Sequence, residues 1–278
     1  VLKSINHINS TIFKLCLFFG KVFYFYEMVL LSFNVIAPEV PIKDKHLVSE
    51  EELIKITFNG TKKIIDVLEK HFVFCTFFVE VSLVEKMPEL LQLITKKGHE
   101  LGILNQHSTE EEIVSAKKIA EELTGKFVSG IRQFPQFKHK SDVVKRMKFS
   151  YHSSMYFSNI FWLNKDFDKK TVYEENELVI VPDSWSPYSK LPYNDFTFQM
   201  IPLFFYKNMV NNSMKGDDEY IVIYLNSWQF VELNHSKFGL PFYRKYNLGR
   251  QMEDKLGRFL LFLEESEWAV NRMKDFFF

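Results

Sequence analysis

Few residues in this chain could do metal or proton chemistry, and they lie far apart in the sequence. His107 stands just before Glu110-Glu111-Glu112, Glu39 follows the run Ser32-Phe33-Asn34-Val35-Ile36, Arg132 ends a second apolar run, and Asn226-Ser227-Trp228 ends a third. An imidazole near a carboxylate could hold a metal or move a proton. The same histidine beside an acidic run is also what a solvated loop before a helix start looks like, because carboxylates favour the first helical turn. Arg132 could meet a substrate or pair with a neighbouring carboxylate or carbonyl. Trp228, like Trp185 and Tyr188 in the later aromatic cluster with Tyr193, Phe196 and Phe198, could stack on a sugar or simply pack.

Composition removes several alternatives. Lysine plus arginine and aspartate plus glutamate number 35 each, so no electrostatic footprint for nucleic acid is expected. Cys16 and Cys75 cannot build a disulfide framework or a cysteine-rich zinc site. Cys75 lies in the apolar run 72–78, where a small buried thiol is the plain reading. Sparse cysteine fits a reducing, cytoplasmic compartment.

The elements that must position these residues follow from pattern. From Met28 onward, short apolar runs alternate with helical periodicity, which predicts an α/β fold with parallel strands. Strands are predicted over 28–33, 72–79, 99–104, 127–132, 150–155, 178–181 and 220–225, with a last one over 268–273. Ser49-Glu50-Glu51-Glu52 and Thr109-Glu110-Glu111-Glu112 have the form of helix-start boxes. Ser82 is expected to cap a helix over 83–97 ended by Gly98, and 246–265 to form a long closing helix. Residues 182–216 read as loop. Residues 1–27 are expected to be an extension outside the fold, and 28–278 one barrel domain. The segment 11–26 is apolar apart from Lys14, Gly20 and Lys21; this is too interrupted for a span of about 20 apolar residues. An interfacial helix there leaves a peripheral membrane contact open.

Several strings resemble the polysaccharide deacetylases of the NodB type (carbohydrate esterase family 4). Gly60-Thr61-Lys62-Lys63-Ile64-Ile65 followed by Cys75-Thr76-Phe77-Phe78-Val79 is similar to that family's helix and "ATFFV" strand. Lys97-Gly98-His99-Glu100-Leu101-Gly102 is similar to "GHEIG", and Glu122-Leu123-Thr124-Gly125-Lys126 with Gly130-Ile131-Arg132 to "EEITGK…GFR". Ile223-Tyr224-Leu225-Asn226-Ser227-Trp228 looks like "YFHPWEF", and Phe238-Gly239-Leu240-Pro241 supports the same branch. The resemblance implies a single distorted (β/α) barrel that cleaves acetyl groups from sugars. It also implies a divalent metal that activates water, a carboxylate base, and a histidine acid that protonates the leaving amine.

Position by position, the chemistry that the resemblance implies is missing. Asn34 stands where the base belongs and Asn226 where the acid belongs; Arg132, which orients the base in the family, is retained. Ile36, Leu104 and Ser108 occupy the metal-ligand positions, with His107 and Glu39 as the nearest substitutes. The expectation is a deacetylase-like protein without family hydrolysis, with no cofactor, that binds a glycan or polysaccharide or supports a partner in surface-polysaccharide metabolism. Arg132, Trp228, Trp185 and Tyr188 are the candidate sugar contacts. The rivals are a working de-N-acetylase with a rebuilt zinc or other divalent-metal site, and a structural partner of an active relative.

Overall fold

The computed structural model describes residues 14–18, 21–25, 28–40, 47–134, 138–155, 172–216, 220–233, 238 and 240–277. Its centre is β3 (Met28–Val35), flanked by β10 (Tyr220–Asn226) on one side and β4 (Thr76–Glu80) on the other, both parallel to it. Beyond β4 follow β5 (Glu100–Asn105), β6 (Gly130–Gln133), β7 (Tyr151–Ser154) and β9 (Leu178–Val181), all parallel. The short β8 (Tyr173–Glu175) closes this edge as an antiparallel partner of β9, and β11 (Ala269–Val270) pairs with the start of β3. The order β10-β3-β4-β5-β6-β7-β9-β8 curls into a half-barrel, so the expected barrel is present as an open sheet.

Period-two alternation sorts the strand residues into two layers. Phe33, Phe77, Ile103, Ile131 and Ile223 face the surrounding helices. Leu30, Phe78, Leu104, Tyr151, Val222 and Tyr224 fill the concave side. Each buried phenylalanine contributes roughly 1.5–3 kcal/mol, which is why the thirty-phenylalanine composition finds its first use in the core. Two glycines make this filling possible. A Cβ at Gly130 would lie 2.1 Å from the Tyr151 ring, and one at Gly102 2.6 Å from Phe78.

The helix signals act as the sequence suggests. Ser49 accepts from the Glu52 N–H to start α1 (Glu50–Lys70), and Thr109 and Glu112 cap each other reciprocally at the start of α3 (Glu110–Thr124). Gly125 ends α3 in the left-handed conformation at φ 62°. Several expectations need correction. The strands expected over 72–79 and 127–132 begin only at Thr76 and Gly130, and the last strand is only Ala269–Val270, with Met273 already helical. Residues 81–83 form only a 3-10 turn, and α2 (Pro88–Lys96) begins at Pro88, whose fixed φ suits a first helical position. The stretch 182–216 contains α5 (Asp195–Met200) and α6 (Leu203–Met214). The closing helix, α7 (Arg250–Glu265), starts only after Gly249 at φ 59°. Finally, β1 (Lys14–Phe18) and β2 (Lys21–Phe25) form an antiparallel hairpin in the segment left open to an interfacial helix; residues 11–13, 19–20 and 26 of that segment lie outside the described residues. No helix among the described residues is long and apolar enough to cross a membrane.

The N-terminal end of the barrel is stoppered by α8 (Met273–Phe277). Buried Glu100 accepts from the Thr76 hydroxyl (2.7 Å), the Tyr151 hydroxyl (2.9 Å) and the Lys274 N–H (3.1 Å), while Thr76 accepts from the Met273 N–H (2.9 Å). Burial nonetheless pushes the Glu100 carboxyl above its ordinary range.

Candidate functional site

The opposite, C-terminal end of the strands is where a barrel carries its chemistry, and there Asn34, Arg132 and Asn226 converge. β3 and β10 pair in register so that Asn34 lies opposite Asn226. The Asn34 amide N–H donates to Asn226 Oδ1 at 3.0 Å, and Asn34 Oδ1 accepts from the Arg132 guanidinium at 2.9 Å. Asn226 also caps the 3-10 turn Ser227–Phe230, accepting from the Gln229 N–H, while its own N–H donates to Gln229 Oε1 at 3.0 Å. Both amides are therefore engaged on their oxygen sides, and Asn34 on its nitrogen side too.

Arg132 is fully buried. Its remaining donors go to the Ser153 hydroxyl (3.1 and 2.9 Å) and the Ser32 hydroxyl (2.9 Å), and its guanidinium lies 4.2 Å from the Phe78 ring centre and 5.2 Å from that of Tyr224. Burial pulls its pKa down to about 10, with the buried Asp183 opposing that shift, so it stays charged at neutral pH. Charge-assisted hydrogen bonds to neutral oxygens and two aromatic faces hold this cation in place. The sequence reading missed Ser32, Ser153 and Asp183. Ser32 was within reach of strand alternation, since it shares a face with Asn34; Ser153 and Asp183 are brought in only by the parallel order of β6, β7 and β9.

The positions of the ligand set hold no ligands. Leu104 is fully buried in the concave core and Ile36 nearly so, its carbonyl accepting from the Ser227 hydroxyl at 3.2 Å. Ser108 lies in the loop after β5, its N–H bonded to Asn105 Oδ1 at 2.9 Å and its carbonyl 3.2 Å from His139 Nε2. Glu39 and His107 are both exposed. His107 acts electrostatically on Glu80, whose carboxyl burial pushes above its ordinary range and which stands beside Leu104 in the β4–β5 register. Among the described residues no three His, Cys, Asp or Glu side chains come close enough to share a metal ion. Two hydrocarbon side chains and a serine do not fit a divalent cation, so no step through a metal follows from these residues.

The aromatic candidates divide. Trp228 is 4 % exposed and lies under Arg244, 5.2 Å from its guanidinium; Arg244 in turn pairs with Asp195 at 2.7 Å. Tyr193 and Phe198 are core residues packed edge-on against Tyr206. Trp185 is half-buried in a bridge to Pro192, and Tyr188, at the tip of that turn, is 80 % exposed. The structure thus brings Asn34, Arg132 and Asn226 together, buries Trp228 in the concave cluster, and leaves Trp185 and Tyr188 on a separate turn.

Known proteins bear on this arrangement. Residues 51–150 match the polysaccharide deacetylase family. An uncharacterized 30.6 kDa protein of Geobacillus stearothermophilus is 41 % identical over 66 residues, and the peptidoglycan-N-acetylmuramic acid deacetylase PdaA of Bacillus subtilis is 36 % identical over 81. Those matches span 23 % and 27 % of this chain and 25 % and 31 % of the relatives' own lengths. Among solved structures, a CE4 family pseudoenzyme from Bacillus anthracis superposes with a TM-score of 0.51 at 12 % identity, covering 90 % of this chain and 65 % of its own. PuuE allantoinase gives a TM-score of 0.57 at 13 % identity, covering 89 % and 88 %. At such identities the likeness concerns the fold, and this fold carries more than one activity.

Proposed function

We propose that this polysaccharide deacetylase-like chain has lost metal-dependent hydrolysis and serves as a non-hydrolytic scaffold or glycan-contacting partner in carbohydrate metabolism. The Asn34–Asn226 amide pair carries the proposal. Hydrolysis of an acetamide needs a base that takes a proton from water and an acid that gives one to the leaving nitrogen. Neutral amides at both positions do neither near pH 7, and these two are bonded to each other. The mouth is also filled by Leu104 and Trp228, which favours a scaffold over a deep sugar groove. Contact with a glycan then falls to the separate turn that carries Trp185 and Tyr188. Arg132 serves as the organiser of the mouth rather than a direct sugar contact, since it is wholly enclosed.

Glu80 favours a second reading, a rebuilt hydrolase: a rim carboxyl with a raised pKa, within the field of His107, is a possible base. Acetate release from N-acetylated chito-oligosaccharides and peptidoglycan, with zinc supplied, separates the two. The scaffold reading expects none above the protein-free rate. Release that disappears in Glu80→Gln and His107→Ala would establish the rebuilt site instead.

A further inference from the structure

Directly opposite the mouth, the turns that lead into β4, β5, β6 and β7 share an unusual make-up. Because these strands are parallel neighbours, the residues just before each of them lie side by side along one end of the sheet. Phe72 and Phe74 precede β4, Phe127 precedes β6, and they are 89 %, 48 % and 64 % exposed. Lys70, Lys96, Lys97, Lys126 and Lys148 are exposed in the same turns or at the helix ends that feed them. Among the carboxylates at this end, Glu69 is paired with Lys97, Glu121 with Lys117, Glu122 with Lys118 and Asp275 with Arg272.

Phe72 is the telling residue. The end of α1 turns back with the Val73 N–H donating to the Leu68 carbonyl, and Phe72 sits in the left-handed region at φ 54°. Glycine is the ordinary occupant of that position, as Gly98 and Gly125 are after α2 and α3. Here a large apolar side chain takes a strained conformation and then projects into solvent. Neither local backbone preference nor burial explains that choice. After α4 (Ser141–Arg146), Lys148 occupies the corresponding left-handed position at φ 60°.

We propose that this end of the barrel docks on an anionic phospholipid surface, with Phe72, Phe74 and Phe127 entering the headgroup–acyl boundary and the lysines meeting lipid phosphates. Exposed phenylalanines ringed by lysines match such a surface in both chemistry and sign: the apolar rings gain from partial burial, and each lysine near an anionic leaflet strengthens binding. An acidic polysaccharide would satisfy the lysines but cover only one face of each phenylalanine ring, whereas the headgroup–acyl boundary encloses the rings. The β1–β2 hairpin supports the same end. Strand β2 ends at Phe25 and β3 begins at Met28, so the chain keeps Phe25, the end of the hairpin, within about 11 Å of the entrance to β3. Its sequence, KLCLF and KVFYF, repeats the lysine-and-apolar composition. Docking in this way turns the Asn34–Asn226 mouth away from the membrane.

The test is co-sedimentation of the full chain with vesicles of phosphatidylcholine containing 30 % phosphatidylglycerol, against pure phosphatidylcholine. Binding to the anionic vesicles, at least tenfold weaker to the neutral ones and weakened by salt, is expected. Phe72→Gly relieves the strained backbone, so it keeps the fold, and together with Phe127→Ser it is expected to lower partitioning tenfold or more. Lys70→Glu and Lys126→Glu are each expected to lower it about fivefold or more on the anionic vesicles. Phe204→Ser, at an exposed site on α6, is expected to change nothing. Equal binding of wild type and the phenylalanine variants overturns the proposal, as does absence of binding to anionic vesicles. Loss of a dimer in Phe72→Gly, without vesicle binding by the wild type, would assign the face to a second copy instead.

Discussion

Asn34 and Asn226 share a hydrogen bond of 3.0 Å across the mouth of the half-barrel, and Arg132 binds the other side of the Asn34 amide at 2.9 Å. A carboxylate at position 34 would neutralise that arginine. Here the arginine is held by hydroxyls, an amide oxygen and two aromatic rings, and the mouth becomes a structural knot.

Restoring the carboxylate alone is therefore expected to leave the protein inactive. In Asn34→Asp the carboxylate keeps the Arg132 bond and turns it into an ion pair, while the Asn226 amide must turn to donate where it now accepts and gives up its bond from the Gln229 N–H. The gain and the loss oppose each other, so stability by urea denaturation is expected to change by about 1 kcal/mol. Acetate release is expected to stay at background, because Ile36 and Leu104 still offer nothing to a cation. Hydrolysis by this single variant would show that a water-activating group had been overlooked.

Arg132 is expected to matter for folding. Arg132→Met removes the cation and leaves the Ser32 and Ser153 hydroxyls and the Asn34 carbonyl short of a donor in a dry site. A loss of about 3 kcal/mol or more in unfolding free energy is expected, from unmet polar groups at about 1–3 kcal/mol each. Arg132→Lys is expected to recover only part of it, since a point charge cannot span three acceptors.

Acid sensitivity is expected to come from two buried histidines. Burial lowers the His152 pKa to about 3 and that of His99 to about 4, against an ordinary 6.5. His99 Nδ1 accepts the Cys75 N–H at 3.3 Å, a bond that protonation there breaks. His152 Nε2 has no hydrogen-bond partner among the described residues. Both pKa values are depressed by folding, so the stability they protect is present above pH 6.5 and is lost as pH falls toward 4 and 3. The slope is at most about 1.4 kcal/mol per pH unit for each. Glu100, whose pKa is raised, acts in the opposite sense: its contribution is present at low pH and declines as pH rises through its folded value. Replacing His152 by leucine, between Ile131 and Ile180 in the ladder, is expected to be neutral or stabilising at pH 7. It should also flatten the stability profile between pH 6.5 and 4.5; an unchanged profile would argue against the buried-histidine origin.

Gly60→Ala offers a check on packing. Alanine is the better helix former by about 1 kcal/mol, yet its Cβ would lie 2.1 Å from the Ser227 carbonyl oxygen. A net loss of at least 2 kcal/mol is expected, because α1 must move off the turn that carries Asn226 and Trp228. Thermal and urea unfolding of this variant report it directly.

Much of this architecture was readable from local chemistry. Ser49, Thr109 and Gly125 mark helix ends by hydrogen bonding and backbone freedom that act within four residues, so sequence alone exposes them. The run 178–181 was readable as a strand for the same reason. The start of α2 was misplaced because Ser82 resembles a cap, whereas its hydroxyl donates to Glu80. Helices α5 and α6 were hidden because their aromatic residues pack on several sides, which erases a one-sided period; Phe198 and Tyr206 both reach Phe259. At the mouth, Asn34, Arg132 and Asn226 were legible through resemblance. Ser153 and Asp183 depend on which strands lie side by side, and the burial of Trp228 depends on Arg244, sixteen residues on.

The loss of the metal site is tested most directly by calorimetric titration of zinc into chelator-stripped protein. The natural chain is expected to give no site-specific heat, while Ile36→Asp/Leu104→His/Ser108→His, folded by circular dichroism, is expected to bind one zinc. Tight one-to-one binding by the natural chain, abolished by His107→Ala or Glu80→Gln, would contradict the account and identify a rebuilt metal site.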